Sequence, residues 1–474
     1  MLRTTKLFLP SAKMEKNMNI IVVGCGNVGK KIVEMLCLEK EHNVTVVDTR
    51  SVAINAIVNQ HDVMGVIGSG TSVDALTDAG VKNADILIAV TTSDEINLLT
   101  CLVARKIGKC QTIARVRNPE YNKEVSLFTK DFGLSMVINP ERAAAAVIAR
   151  NLRFPAAISI DTFSKGRAEI LKFRIPDNST LDNSRVADIV GKLNCDVLVC
   201  GVERNDEAII PHGDFVLKSG DYISVLMSLK TETKFFKKAG IKSGKVSDTM
   251  IIGGGETAVY LASLLQQSGI NVKILEKDSN RCDELCNLLP KATIINADGT
   301  DNKQLLEEGL ANASSFVSLT NIDEENILLS MFAKTITNGK LITKINRIAY
   351  DDVINGLDLG TTICPKNITA EYIVQFVRAK KNSMGSNIET MHRILNGKAE
   401  ALEFRIRENS PIANIALQNL SINKNAIIAC INRNGNIIIP RGNDVMMPND
   451  TVIVVTTALG HKDISEILKR GKFE

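Results

Sequence analysis

Two glycine-rich segments carry the residues whose types and spacing can do chemistry. The first, Gly24-Cys25-Gly26-Asn27-Val28-Gly29, stands between the apolar run 20–23 and an amphipathic stretch that begins at Asn27. In such a GxGxxG segment the first glycine makes a tight turn, the second lets backbone N–H groups approach a pyrophosphate, and the third lets helix and strand pack closely. The helix N-terminus adds partial positive charge. Asp48 follows 22 residues after Gly26, at the end of the next apolar run, where a carboxylate can accept both hydroxyls of an adenosine ribose. An acid there repels a 2′-phosphate, so NAD(H) or an adenosine phosphate is preferred to NADP, although Arg50 weakens that exclusion. Thr91, Thr92 and Ser93 end the fourth run and read either as ligand hydroxyls at the sheet's carboxyl edge or as a helix N-cap. Arg115, ending the fifth, reads as a phosphate ligand or as a surface or interface arginine.

The second segment is Gly253-Gly254-Gly255-Glu256-Thr257-Ala258, with Glu276 in the place of Asp48. Alanine is tolerated at the third glycine position. Glu256 stands where Asn27 stood; it suits the helix dipole but occupies the electropositive spot that a pyrophosphate needs. The second site is therefore expected to be weaker than the first, empty, or filled by a different nucleotide. Asp298 reads as an acceptor for an adenine amino group or as a turn residue. Lys344 replaces Arg115, keeping a charge but losing the bidentate fork.

Little else suggests catalysis. His42, His61, His212, His392 and His461 read as surface or turn histidines, and no Cys/His spacing suits a metal. Cys25 sits at a helix N-terminus, where a thiolate is favoured, but small-residue packing is the preferred reading. Cys282 and Cys286 share a helix face, and there is neither a GxSxG segment nor a Walker lysine.

The elements that position these residues occur twice. Gly24 falls on Gly253, Asp48 on Glu276, Asn97 on Asn326 and Pro211 on Pro440, at an offset of 228 or 229 residues. In each half, short Val/Ile runs alternate with helical stretches, as in a doubly wound parallel sheet; shorter strand-like runs with Asn/Asp/Gly turns follow. The expected fold is α/β: two tandem Rossmann-like doubly wound parallel sheets, each followed by a small α+β C-terminal lobe. The expected divisions are a disordered lead over 1–17, a nucleotide-binding lobe over 18–138, a small lobe over 139–232, a linker over 233–247, a second nucleotide-binding lobe over 248–366 and a last lobe over 367–474. The chain's 474 residues suffice for these cores. With 57 Lys+Arg against 53 Asp+Glu, scattered along the chain, nucleic acid is not an expected partner. Ten cysteines without a CxxC pair suggest a reduced, cytosolic protein. No apolar run approaches the ~18 residues of a membrane span.

On "IIVVGCGNVGKKIVEML", "VTVVDT", "GSGTSVDALTDAGVKNADILIAVTTSDEIN", "IARVRNPEY" and "IIPHGD", together with the whole-chain duplication, the sequence resembles the regulator-of-potassium-conductance domains, in particular those of peripheral subunits of Trk-type potassium uptake systems. The resemblance covers residues 18 to about 470. It implies a non-enzymatic, NAD-binding regulatory subunit, assembled as a homo-oligomeric ring on the cytoplasmic face of a membrane potassium-translocating subunit and gating it when nucleotide binding reshapes the ring. Carried over, the NAD contacts fall on Gly24, Cys25, Gly26, Asn27, Val28, Asp48, Thr91, Thr92 and Arg115. In the second half they fall on Gly253, Gly254, Gly255, Glu256, Thr257 and Glu276. Relatives that prefer ATP and ADP often carry arginine where Asn27 stands, so NAD(H) is preferred here and ATP or ADP left open. The helices at about 140–152 and 367–380 are the expected ring interfaces. The rival readings are an NAD-dependent oxidoreductase and a module that senses a small anionic messenger.

Overall fold

The computed structural model describes residues 17–38, 42–118, 121, 129–164, 167–228, 231–241, 246–346, 357, 359–383, 388–395, 397–461 and 463–469. The expected lead lies outside them as far as residue 16. Valine and isoleucine dominate the short runs, and their β-branched side chains suit strands covered on both faces. β1 (Met18–Val23), β2 (His42–Asp48), β3 (Met64–Ile67), β4 (Ile86–Ala89), β5 (Gln111–Arg115) and β6 (Met136–Ile138) pair in the order β3-β2-β1-β4-β5-β6. All these pairings are parallel. Parallel neighbours require crossovers, and α1 (Asn27–Leu38), α2 (Ser51–Val58), α3 (Val73–Asp78) and α4 (Asp94–Ile107) provide those from β1 through β5. The strand order reverses between β1 and β4, which opens a crevice at their carboxyl ends.

The next segment holds α5 (Pro140–Arg153), β7 (Ser159–Phe163), β8 (Ala168–Arg174), α6 (Ile189–Leu193), β9 (Val197–Arg204), β10 (Glu207–Ile209), β11 (Tyr222–Ser228) and α7 (Glu232–Lys238). Its antiparallel sheet runs β10-β9-β11-β8-β7. One expectation is corrected here. The first part of the 233–247 stretch is not a linker, because α7 carries Phe235 and Phe236 into the lobe's core, where both rings meet Phe173 edge-on. Residues 242–245 lie outside the described ones.

The second half repeats both sheets. β12 (Asp248–Ile252), α8 (Glu256–Gln267), β13 (Asn271–Glu276), α9 (Ser279–Leu288), β14 (Thr293–Asn296), α10 (Asn302–Glu307), β15 (Ser315–Ser318), α11 (Asp323–Ile336), β16 (Lys340–Lys344) and β17 (Thr361–Ile363) form a parallel sheet in the order β14-β13-β12-β15-β16-β17. Then α12 (Pro365–Ser383), β18 (Ile388–Ile394), β19 (Ala399–Arg405), β20 (Ala426–Arg433), β21 (Asn436–Ile438) and β22 (Thr451–Thr456) give an antiparallel sheet ordered β18-β19-β22-β20-β21.

The chain divides into compact units at 1–138 and 139–474, not at the repeat boundary. Helix α5 explains why the second unit is so large. Its Ala144, Ala145, Ile148 and Leu152 are fully buried in one core with Ala258, Leu261, Ala262 and Leu265 of the second parallel-sheet lobe. α12 packs against α5 and β18 in turn. The expectation that these two helices keep apolar faces for closing a ring is therefore corrected for both: the α5 stripe is already covered within one chain, and Ala370, Ile373, Val374 and Val377 of α12 are fully buried as well. The two small lobes also share a core, in which Phe163, Ile170 and Cys200 meet Leu395, Ala401 and Cys430. At its rim, Ser164 donates its N–H and its hydroxyl to Glu403 Oε1, at 3.0 and 2.7 Å.

Candidate nucleotide-binding sites

In the first unit the chain leaves β1, turns through the glycine segment and enters α1 at Asn27. Gly24 has φ of 102°, and a Cβ on it would meet the Thr91 nitrogen at 2.9 Å, so only glycine lets the loop lie against the end of β4. A Cβ on Gly26 would meet nothing within 4 Å. The second glycine thus faces open space at the helix N-terminus, the room that a pyrophosphate requires.

Asp48, at the end of β2, is buried with its carboxylate against this loop. Its Oδ2 accepts the Cys25 N–H at 2.7 Å and its Oδ1 accepts the Arg50 N–H at 2.9 Å. The Arg50 side chain turns back, donating Nε to Oδ1 at 3.1 Å and Nη2 to Oδ2 at 3.2 Å. Burial pushes the Asp48 carboxyl up, but the hydrogen bonds from Arg50 and Cys25 outweigh it and hold the group below its ordinary range. An ionised carboxylate has about four acceptor positions over its two oxygens. Arg50 would have to yield some of them for ribose hydroxyls to bind.

The other first-half candidates meet at the same edge. Ser93 caps α4, accepting the Ile96 N–H at 3.2 Å, which separates it from its two threonine neighbours. Thr91 donates its N–H and its hydroxyl to Asn97 Oδ1, at 2.7 and 2.8 Å. Asn97 Nδ2 in turn donates to the carbonyls of Thr91 and Arg115, at 3.2 and 2.9 Å. This fully buried amide fastens the end of β4 to the end of β5 and so fixes where Thr91 and Arg115 stand. Thr92 is exposed, and its carbonyl accepts from Arg117 Nη2 at 3.1 Å. In the sequence Asn97 stands out only as a repeat match. Its recurrence at Asn326 is the available signal, since Asn326 makes the same bonds to the backbone of Thr320 and to the Lys344 carbonyl.

The second unit holds a cleft of about 700 Å³ at the matching edge. Glu276 Oε2 accepts the Gly254 N–H at 2.7 Å and Oε1 accepts the Asp278 N–H at 2.9 Å, the same pair of backbone donors that Asp48 uses. A Cβ on Gly255 again meets nothing within 4 Å. Thr257 is buried at the start of α8. Glu256 opens that helix and pairs with Arg281 of α9, Oε1 to Nη2 at 3.0 Å; Arg281 also donates to the Gly254 carbonyl at 2.8 Å and to Glu284 at 2.7 Å. Nothing in the sequence marks Arg281, because its cleft partners Gly254 and Glu256 are 27 and 25 residues away.

Glu141, Glu256, Glu276, Asp278, Asp298 and Glu325 line the cleft against Lys277, Arg281 and Lys344. That excess of carboxylates disfavours polyphosphate relative to a less charged nucleotide. Asp298 makes a turn, its Oδ1 accepting the N–H and hydroxyl of Thr300 at 2.9 and 2.7 Å. Lys344 is buried, with Nζ 3.3 Å from the Leu319 carbonyl, and burial lowers its pKa. Asp298 is thus already bonded within its own turn, and Lys344 to the end of the neighbouring strand β15.

Cys25 is chemically quiet. Burial, and then the Asp48 charge, push its thiol up to about 12, so at pH 8 about one molecule in ten thousand carries the thiolate. Exposed Cys286 is expected to react with iodoacetamide at pH 8 while Cys25 of the folded chain stays unmodified. Peptide mapping that finds Cys25 alkylated as fast as Cys286 would contradict this. Among the described residues, no group of three His, Cys, Asp or Glu side chains could hold a metal ion. None of the described helices is long and apolar enough to cross a membrane.

Comparison with known proteins matches the TrkA-N domain to residues 20–140 and 249–365, and the TrkA-C domain to 170–240 and 401–469. The chain is 30% identical to a Trk system potassium uptake protein TrkA homolog of Archaeoglobus fulgidus, over 95% of this chain and 100% of that protein. It is 29% identical to the Trk system potassium uptake protein TrkA of Haemophilus influenzae, over 95% of this chain and 98% of that one. Among solved structures, the GsuK RCK domain aligns with a TM-score of 0.59 at 17% identity, covering 97% of this chain and 96% of its own. The GsuK channel bound to NAD aligns at 0.60 and 16% identity, covering 94% and 78%. These two likenesses concern the fold.

Proposed function

The chain belongs to the family of tandem TrkA-N and TrkA-C domains, and from that premise we propose that it is a nucleotide-binding regulatory subunit of a potassium uptake system. The observation that carries the reading is the pair of acids, Asp48 and Glu276, each bonded to the N–H of its own glycine loop at 2.7 Å at the carboxyl edge of a parallel sheet. The arrangement suits an adenine dinucleotide: the acid takes the ribose, the open second glycine admits the pyrophosphate, and the N-terminus of α1 or α8 faces its charge. The ligand is NAD(H), with ATP and ADP as competitors, and Gly24 through Val28, Thr91, Thr92 and Arg115 form the first pocket with Asp48. The second pocket, built from Gly253 through Thr257 and Glu276, binds more weakly because Glu256 holds the phosphate position.

The role is regulatory, exercised on a membrane potassium-translocating subunit at its cytoplasmic face by a ring of these chains. A ligand that binds one arrangement of lobes better than another shifts their equilibrium by that difference in affinity. The Trk system names of the relatives that match along their whole length support this partner.

Calorimetric titration of the full chain with NADH, NAD, ATP and ADP tests the reading. Saturable NADH binding without turnover is expected, and Asp48→Ala should weaken it by about tenfold or more, with Glu276→Ala weakening it less. Equal effects of the two substitutions would remove the primacy of the first pocket. Turnover of NADH would move the chain to the oxidoreductases. Potassium flux through vesicles carrying a Trk-type membrane subunit should change when the chain and NADH are added together, and flux indifferent to both would overturn the regulatory role.

A further inference from the structure

The internal repeat provides its own control at the ribose edge. Asp48 and Glu276 hold equivalent places and accept matching backbone N–H groups, one from the glycine loop and one from the residue two positions on. The side chain of that last residue differs: Arg50 in the first half, Asp278 in the second. Arg50 closes its fork on both oxygens of Asp48 while remaining 64% exposed. Asp278 turns into α9, where its Oδ1 accepts the N–H groups of Asn280 and Arg281 at 2.9 and 3.2 Å, and it adds a second negative charge beside Glu276. Lys277 also lines that cleft, and its charge acts on Asp298.

A phosphate on the adenosine 2′ oxygen lies beside this acid, so a bare carboxylate repels it and a nearby arginine accommodates it. At the first pocket the acid is neutralised by its own partner. A guanidinium offers five N–H donors, Arg50 directs only Nε and Nη2 to Asp48, and its exposed side leaves the others accessible to a second anion. At the second pocket the two carboxylates Glu276 and Asp278 stand together.

We propose that the first pocket accepts adenine dinucleotides carrying a 2′-phosphate as well as those with a free 2′-hydroxyl, and that Arg50 is the residue that sets this tolerance. The inference rests on the reading of the first glycine loop as a dinucleotide site. Arg50 serves two anions in turn. It yields part of Asp48 to the ribose when the 2′ position bears only hydroxyl, and bridges from Asp48 to the phosphate when one is present. The second pocket rejects the 2′-phosphate.

The test is titration of the full chain with NADH, NADPH and adenosine 2′,5′-bisphosphate at fixed ionic strength, for the natural sequence, Arg50→Ala and Arg50→Lys. The natural chain should bind NADPH within about threefold of NADH, and Arg50→Ala should lose about tenfold or more of its NADPH affinity while NADH changes by less than about threefold. Arg50→Lys should fall between, since it keeps the charge without the fork. Adenosine 2′,5′-bisphosphate should follow NADPH, with an affinity that falls as salt rises. Binding of NADH with NADPH more than about tenfold weaker in the natural chain overturns the inference, as does an Arg50→Ala chain that retains its NADPH affinity. In either case the nucleotide reading survives, because NADH still binds. Failure of NADH and NADPH alike overturns that reading and this inference together.

Discussion

A single methyl group at Gly29 is expected to weaken nucleotide binding in the first pocket by more than about tenfold, although alanine is accepted at the matching position of the second loop. A Cβ there would stand 1.9 Å from the Gly24 carbonyl oxygen and 3.0 Å from its carbon, so the clash is with backbone and no flexible side chain can yield. Gly24 cannot retreat easily. Its N–H bonds to the Val47 carbonyl at 2.8 Å, and its other side lies against Thr91. Gly29→Ala must therefore lift α1 off the loop or open the loop itself, displacing the Cys25 N–H from Asp48. Overpacking of this kind costs about 1–3 kcal/mol, and the rigid neighbours place this site near the upper end. Thermal unfolding should show the first unit melting earlier, and NADH affinity should fall by more than about tenfold. The second loop already carries Ala258 at the matching position, fully buried within its lobe, so the second pocket is expected to keep its ligand. A Gly29→Ala chain that binds NADH as tightly as the natural one would detach the glycine loop from the ligand.

What could be read from the sequence was what chemistry forces into fixed spacing. The glycine loops, Asp48 and Glu276 and the two-fold repeat all fall in this class, because turn, close approach and ribose contact each admit few residue types. The long aliphatic strands were legible for a related reason, as nothing but a doubly covered sheet buries such runs. The short edge strands β6 and β17 were not, since three residues cannot display a period. Partnerships between distant side chains were equally hidden. Glu256 read as an obstacle to phosphate, but its pairing with Arg281 depends on α9 folding back over the loop. Asn97 looked like one polar residue in a helix, and only the assembled sheet edge shows it bonding two strand ends. The misjudged linker has a local cause. Phe235-Phe236 is flanked by Lys234, Lys237 and Lys238, so a short helix with a buried aromatic pair reads as a polar stretch.

Leu152→Ala is expected to destabilise the second unit by about 2–5 kcal/mol, the cost of deleting a large buried aliphatic side chain. The helix that carries it lies in the first half of the repeat, yet Ala144, Ala145, Ile148 and Leu152 form one stripe whose partners are Ala258, Leu261, Ala262 and Leu265. Alanines on both α5 and α8 let the two backbones approach closely. The start of α5 is fixed as well: Asn139 accepts the Arg142 N–H at 2.8 Å, and Pro140 occupies the first turn. Glu141, next along, lines the second cleft. Loss of Leu152 should therefore loosen a wall of that cleft along with its core. Denaturant unfolding should register the lost stability, and any ligand of the second pocket should bind more weakly, while NADH at the first pocket holds its affinity. Unchanged stability would mean that the α5 seat contributes little, and an equal loss at both pockets would mean that α5 does not act on the second alone. If the expected pattern is found, the packing of the first small lobe and the ligand state of the second pocket are linked through one helix, and each must bias the other by the same free energy.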